Sequence, residues 1–520
     1  MKRSFFPLCM LLLIMTAFPV NARGEKLAEF YPYELEVPGE IEEKLIFDLN
    51  QDGLKDLIIL HTGGKKEEQR FLSIFLQEKR NGFSRRPFQT LEIKEGFSVF
   101  DVGDIIPNPG AEIVLLDSSG VSFYQQDSSR HYGKLTRLFE SQNILANSGD
   151  TEVRSLKFLW DLNGDGSSEI LIPTLSGYQI YRKGNDGVFY PSQLIRLDVP
   201  VTSDLGPEQG FGKKVDINRL IKIRPYLTGI TVSYQIPSLF VEDFNGDDRK
   251  DLVGLCNNEL SIFLQRPDGS IPEHPDRKIK RSLLTEKEKK LAFAGESMVF
   301  ADLNGDKIMD LIVSKYGAKG DRGSINRYLY FGQNDLHFNE YPDQILFSEN
   351  IEPQFGIIDL NNDGKLDLVI PFFKARITQA LKVIVQNKIK ILFSFYLLGE
   401  DGKYPQQRSS FKVIDYQIKV FDINLFGKEF RPLISTLGDF NGDGYPDLAS
   451  DNGQDHILIF RGSEKGEFGR QPDQIIKSPS TFSYDIDDLN GNGRSDIILY
   501  YSDSKQETSM LRVLLTEPSS

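Results

Sequence analysis

Seven times in 520 residues the chain repeats one nine-residue pattern: oxygen-bearing side chains at positions 1, 3 and 5, usually Gly at 6, an acid at 9, and then an apolar run. "DLNGDGSSEILIP", from Asp161, shows it whole, and the other copies start at Asp48, Asp243, Asp302, Asp359, Asp439 and Asp488. Carboxylates a few ångströms apart resist ionising together, so a loop that crowds them needs a cation or strongly shifted pKa values to close. Recurrence along nearly the whole chain also points to a repeat architecture, in which this length forms one unit rather than several domains.

The candidate metal ligands are Asp48, Asn50, Asp52 and Asp56; Asp161, Asn163, Asp165 and Glu169; Asp243, Asn245, Asp247 and Asp251; Asp302, Asn304, Asp306 and Asp310; Asp359, Asn361, Asp363 and Asp367; Asp439, Asn441, Asp443 and Asp447; and Asp488, Asn490, Asn492 and Asp496. All are hard oxygen donors. With a backbone carbonyl near position 7 they suit a cation that takes about six to eight oxygens, which is Ca²⁺, at up to seven sites. Gly53, Gly166, Gly364, Gly444 and Gly493 permit the sharp turn at position 6, where Asp248 and Lys307 stand in the other two copies. The EF-hand loop shares the first half of the pattern but needs a Glu at position 12 and flanking helices. Position 12 here is Ile59, Ile172, Gly254, Val313, Ile370, Ser450 or Leu499, and the flanks "DLIIL", "EILIP" and "LKFLWD" are strand-like. A metal-free Asn/Asp turn explains any single copy. Seven copies with one ligand spacing favour calcium loops between strands.

The net charge of −14 becomes −16 without Lys2 and Arg3, and seven divalent ions would bring it to −2. Such acidity argues against nucleic acid as a partner and for bound cations. Lys2 and Arg3, the apolar stretch Phe5 to Phe18 and the small-x-small site Val20-Asn21-Ala22 predict a signal peptide over 1–22 and export to the periplasm, cell surface or medium. Cleavage there removes Cys9 and leaves Cys256 alone, so no intrachain disulfide is expected; Cys256 is predicted to be a small buried hydrophobe on a strand.

Between loops a second pattern recurs: an aromatic-rich strand, a polar turn and another strand, as in "LSIFLQEKRNGFSRRPFQTLEI" from Leu72 and "ILIFRGSEKGEFGRQPDQIIKS" from Ile457. Each unit reads as four antiparallel strands with the calcium loop joining the first two, and such units repeated radially make an all-β propeller. A degenerate copy placed at Asp101 fills the long gap before Asp161, giving eight blades, with seven as the alternative. "EFYPYELEVP", from Glu29, resembles the fourth-strand segment "VFYPSQLIRLDVP" from Val188, so the N-terminal strand is expected to complete the last blade and remove open edges. The propeller is assigned to 23–520, with insertions at about 204–235 and 372–393. In the second, Ile377, Leu381 and Ile384 share a helical face beside Lys374, Arg376, Lys382, Lys388 and Lys390. That segment suits contact with a membrane surface or acidic partner, or an excursion packed on the propeller, which is favoured.

The repeats resemble the FG-GAP or VCBS repeats of integrin α-subunit propellers and of many exported bacterial proteins, over about residues 27–516, with "FGIIDLNNDGKLDLVIP" from Phe355 nearest the fuller pattern. The resemblance implies a calcium-stabilised propeller used in extracellular interaction. No copy has an intact Gly-Ala-Pro and there is no Asp-x-Ser-x-Ser motif, so integrin-type ligand recognition is not carried over. Neither His-Glu-x-x-His nor Gly-x-Ser-x-Gly occurs, and His61, His131, His274, His337 and His456 lie without metal-ligand spacing. The expected function is therefore a non-enzymatic binding or adhesion scaffold whose partner is an extracellular or envelope protein or glycan. The alternative is a secreted carbohydrate-active enzyme on a polysaccharide-lyase-like propeller, although acid pairs for glycoside hydrolysis cannot be separated from the loop aspartates.

Overall fold

Stretches such as "DLIILHT" and "DIILYYS" are apolar at nearly every position, a pattern that suits strands packed on both faces. In the computed structural model they are the second strands of eight blades arranged in a ring, a β-propeller. The structure describes residues 29–517 apart from 64–68, 146–152, 208–227, 281–282, 286–287, 289–293, 320–321, 334–335, 349–354, 374–387, 418–434, 454, 479–482 and 503–508. Among the described residues there is no α-helix.

Blade one shows the plan: Ile41–Phe47, Asp56–Thr62, Arg70–Phe75 and Gln89–Ile93 pair in that order, all antiparallel. The blade count is eight, and the seven-bladed alternative is set aside. Closure is as expected. Phe30–Val37 pairs antiparallel with Ser509–Thr516, from Phe30 opposite Thr516 to Val37 opposite Ser509, and so supplies the fourth strand of blade eight. Eight buried apolar clusters each straddle one joint between neighbouring blades. The core is thus a ring of interfaces, and the joint between blades eight and one packs Leu35, Val37, Leu511 and Val513 against Leu57 and Ile59.

The antiparallel meander puts every connection between first and second strands at one end of the ring. Connections between second and third strands, and between blades, lie at the other. Both described excursions are at that other end. One is a two-stranded ribbon of Val201–Pro207 and Thr228–Tyr234 between blades three and four, at the first insertion. The other is the long hairpin of blade five, Asp310–Lys319 and Arg322–Tyr330. In the second insertion Lys388–Tyr396 is the third strand of blade six, so the helical reading fails over 388–393, which pair with 412–417, and 391–393 pair also with 371–373; 374–387 lie outside the described residues.

Blade two corrects the placement of the degenerate repeat. Elsewhere the acid at position 9 pairs with the residue just before position 1, as Asp56 does with Phe47 and Asp310 with Ala301. In blade two that pair is Gly103 and Glu112, so the loop begins at Asp104 and not Asp101. Asp101 instead lies within the first strand, buried, accepting the N–H groups of Phe158 and Leu159 and pairing with Lys157. Beside that strand Arg154–Ser155 adds a short parallel fifth strand, and Glu43 of blade one accepts the Ser155 N–H.

Candidate metal centres

The loops share one build, seen clearly in blade seven. Asp439 Oδ1 accepts the N–H groups of Gly442 at 2.7 Å and Asp443 at 3.2 Å, and Oδ2 that of Gly444 at 2.8 Å. Asn441 Oδ1 accepts Asp443 N–H at 2.7 Å, and Asp443 Oδ1 accepts Tyr445 N–H at 3.0 Å. These bonds fold nine residues around their own oxygens, with Gly444 in the left-handed region at φ 85°. Asp248 and Lys307 take the same region at 63° and 69°, so the turn forms without Gly in blades four and five. That conformation is costly for residues with a Cβ and is held by the surrounding loop.

The acid at position 9 has a further role. Asp447 Oδ2 accepts Phe440 N–H at 3.1 Å and Oδ1 accepts Gly462 N–H at 2.9 Å, tying the loop to the end of the third strand. The first of these bonds, from position 2 to position 9, recurs in all eight blades, as in Leu49 to Asp56, Leu162 to Glu169, Phe244 to Asp251 and Leu303 to Asp310. It joins Leu360 to Asp367 and Leu489 to Asp496, and in blade two Ile105 to Glu112. The second recurs from Gln77, Gln265, Gly332, Leu398 and Thr516. Where Glu replaces Asp the longer arm changes it: Glu169 Oε1 meets Arg182 at 3.5 Å, and Glu112 Oε1 has no hydrogen-bond partner.

Electrostatics follow from this burial. Asp56, Asp310, Asp367 and Asp496 are pushed up to about 7, Asp447 to about 8 and Asp251 to about 6. Burial is the largest cause in each, and the charge at position 1 adds to it. Position 5 adds as well in all but blade eight, where Asn492 stands there. At position 1, Asp302, Asp359 and Asp439 are raised by burial and by their position-5 neighbours.

Within each of the seven loops the structure holds the sequence-expected ligands in one turn, but not as a finished cage. Among the described residues no group of three His, Cys, Asp or Glu side chains stands together as a metal site. Asn163, Asn245, Asn304, Asn361 and Asn441 turn their amide N–H toward the position-5 carboxylate of their own loops. The donor set nevertheless fits a hard cation, because every side-chain donor is oxygen and each carboxylate keeps lone pairs beyond those used by N–H groups. Two loops are modified: Arg249 pairs with Asp247 in blade four, and Asn490 and Asn492 donate to Thr516 O at 2.6 and 3.0 Å in blade eight. Blade two keeps acids at positions 1 and 9, with Ile106 at position 3 and Asn108 at 5. Sequence reasoning missed its register and the position-9 staple. The signal was there, since Glu112 stands eight residues after Asp104 and directly before the run "IVLL".

Fold and loops together are those of a β-propeller that carries FG-GAP-like repeats in three places: residues 243–313, 302–370 and 439–499 match the FG-GAP-like repeat, each match starting at position 1 of a loop. Among known proteins it is similar to integrin alpha-IIb of Mus musculus, 28% identical over 173 residues that make up 30% of this chain and 15% of that protein. It is likewise similar to integrin alpha-PS2 of Drosophila melanogaster, 28% identical over 41% of this chain and 16% of that protein. The chain thus spans only about a sixth of the length of the relatives it matches. Among solved structures, a lectin of Agrocybe aegerita described as recognising terminal N-acetylglucosamine overlaps 92% of this chain and 100% of its own, at 14% identity and a TM-score of 0.42.

Proposed function

We propose that this protein is an exported, calcium-binding β-propeller that serves as a non-enzymatic binding or adhesion scaffold. The observation that carries the reading is the set of seven loops of one build, each placing carboxylate and amide oxygens at positions 1, 3, 5 and 9 around a buried acid. Calcium in these loops neutralises the carboxylates that burial and like charge destabilise. The loops occupy one end of the ring, which leaves the opposite end for a partner. That end carries the ribbon with Val201, Val232 and Tyr234 exposed and the blade-five hairpin with Tyr316 exposed. An extracellular or envelope protein or glycan is the partner proposed. Membrane contact through 374–393 forms no part of the proposal, since 388–393 is a blade strand. Likeness to integrin alpha chains supports the scaffold reading, and no observation favours the carbohydrate-active alternative.

The test is a paired screen of the mature protein, on a glycan array and in a pull-down from the native envelope or medium, alongside turnover assays on a polysaccharide panel. Calcium-dependent capture without turnover is expected. Turnover abolished by a substitution outside the loops would overturn the scaffold reading.

A further inference from the structure

The loops are bonded to one another as well as to themselves. The N–H at position 8 of one loop donates to the carbonyl at position 1 or 2 of the loop before it: Lys55 to Leu489 O, Ala111 to Leu49 O, Ser168 to Asp104 O, Met309 to Phe244 O, Leu366 to Leu303 O and Ser495 to Asp439 O, all at 2.7–3.0 Å. Six of the eight joints carry this bond. The joint between blades three and four is bridged by side chains instead, Lys250 Nζ to Asp161 O at 2.8 Å and Gln265 Nε2 to Leu162 O at 2.5 Å. Among the described residues the joint between blades six and seven has neither device. Position 8 there is Pro446, which has no N–H to give, and Gly462 stands where Gln77 and Gln265 reach across to the preceding loop. Farther out that joint is closed, with Ser410 Oγ on Gly466 O at 2.7 Å and Lys412 Nζ on Arg470 O at 3.1 Å. The break is confined to the loop layer.

At two joints, where the acceptor is Asp104 O or Asp439 O, the bond shares a peptide unit with the loop's internal staple. The unit between Asp439 and Phe440 donates its N–H to Asp447 of blade seven and accepts Ser495 N–H of blade eight through its carbonyl. Close packing accompanies the link: a Cβ on Gly305, at position 4 of blade five, would lie 2.7 Å from Gly364 O of blade six. We infer that the eight loops are coupled as an open chain running from blade seven through eight, one, two, three, four and five to six, so that ordering one loop orders its neighbours except across Pro446. Coupling between cation sites rests on the calcium reading above; the backbone linkage does not.

Hydrogen exchange read by mass spectrometry on the whole mature protein tests it. In calcium, Asp443→Asn is expected to speed exchange about fivefold over 488–496 of blade eight while leaving 359–367 of blade six unchanged. Adding Pro446→Ala should extend the effect into 359–367. Change confined to 439–447, or spread equally to both sides without Pro446→Ala, overturns the coupling. Should calcium alter exchange in no wild-type loop, the calcium reading fails, and the linkage is then judged in chelator, where Pro446→Ala must slow exchange over 359–367; no slowing overturns it.

Discussion

Asp447 and its seven counterparts hold each loop whether or not a cation is present, because they satisfy backbone donors that would otherwise be buried unpaired. Asp447→Ala leaves Phe440 N–H and Gly462 N–H without acceptors and is expected to destabilise the protein by about 3 kcal/mol, measured by denaturant unfolding. The same acids set a pH dependence. In the six aspartates among them the folded pKa values are raised from 3.8 to about 6–8, so their stabilising contribution is fully present below the ordinary carboxyl range and is lost as pH climbs through the raised values. In chelator the melting temperature is therefore expected to fall between pH 5.5 and 8, and calcium should flatten that slope by favouring the ionised form. Asp117, held low by Arg137 and Ser119 against its partial burial, stays ionised across this window and adds no slope. A metal-free melting temperature that rises over the same window would contradict these assignments. The ligand pattern was legible because side-chain identity carries it. The position-8 bonds were not, since a backbone N–H leaves no mark in sequence; only Pro446 records where one is missing.

Elements were legible where both faces of a strand are packed, since near-continuous apolar runs between loops mark them. The N-terminal strand was identified from the kinship of "EFYPYELEVP" with another fourth strand. The structure adds what holds it: Leu35 and Val37 fully buried, Arg512 paired with Glu34 at 2.5 Å, and Phe30 edge-on to Phe440 at 5.9 Å. Leu35→Ala is expected to destabilise by about 3 kcal/mol, read from the unfolding midpoint. A chain lacking 29–38 exposes the edge of Ser509–Thr516 and should self-associate, which light scattering would reveal. Two elements escaped the sequence. Blade two was misaligned by three residues because "DVGD" offers two aspartates and only strand pairing decides between them. The run "KIKILF" was read as the end of a basic amphipathic helix, with Lys388 and Lys390 beside its apolar face, and it pairs as a strand. Cys256, expected to be buried, ends its strand half-buried as a free thiol, because the turn at Asn257 and Asn258 leaves that end partly open.

At the scale of the whole molecule a closed ring of interfaces makes stability a shared property, so events in the loops should be felt as a change in the melting of the entire propeller. Calcium that binds the folded loops and not the unfolded chain stabilises by mass action, about 1.4 kcal/mol for one independent site at ten times its dissociation constant. Several sites should add to a shift of many degrees, with Mg²⁺ a poor substitute because it demands a tighter octahedral shell. Blade two, with Ile106 at position 3, is expected to bind no ion. The most direct measurement is a pair of thermal melts of the mature protein, one in calcium and one in excess chelator, with elemental analysis of both samples. The account predicts up to seven calcium ions per chain and a melting temperature many degrees lower after their removal. Identical melts, with one sample shown to be free of calcium, would mean that the aspartates only form turns.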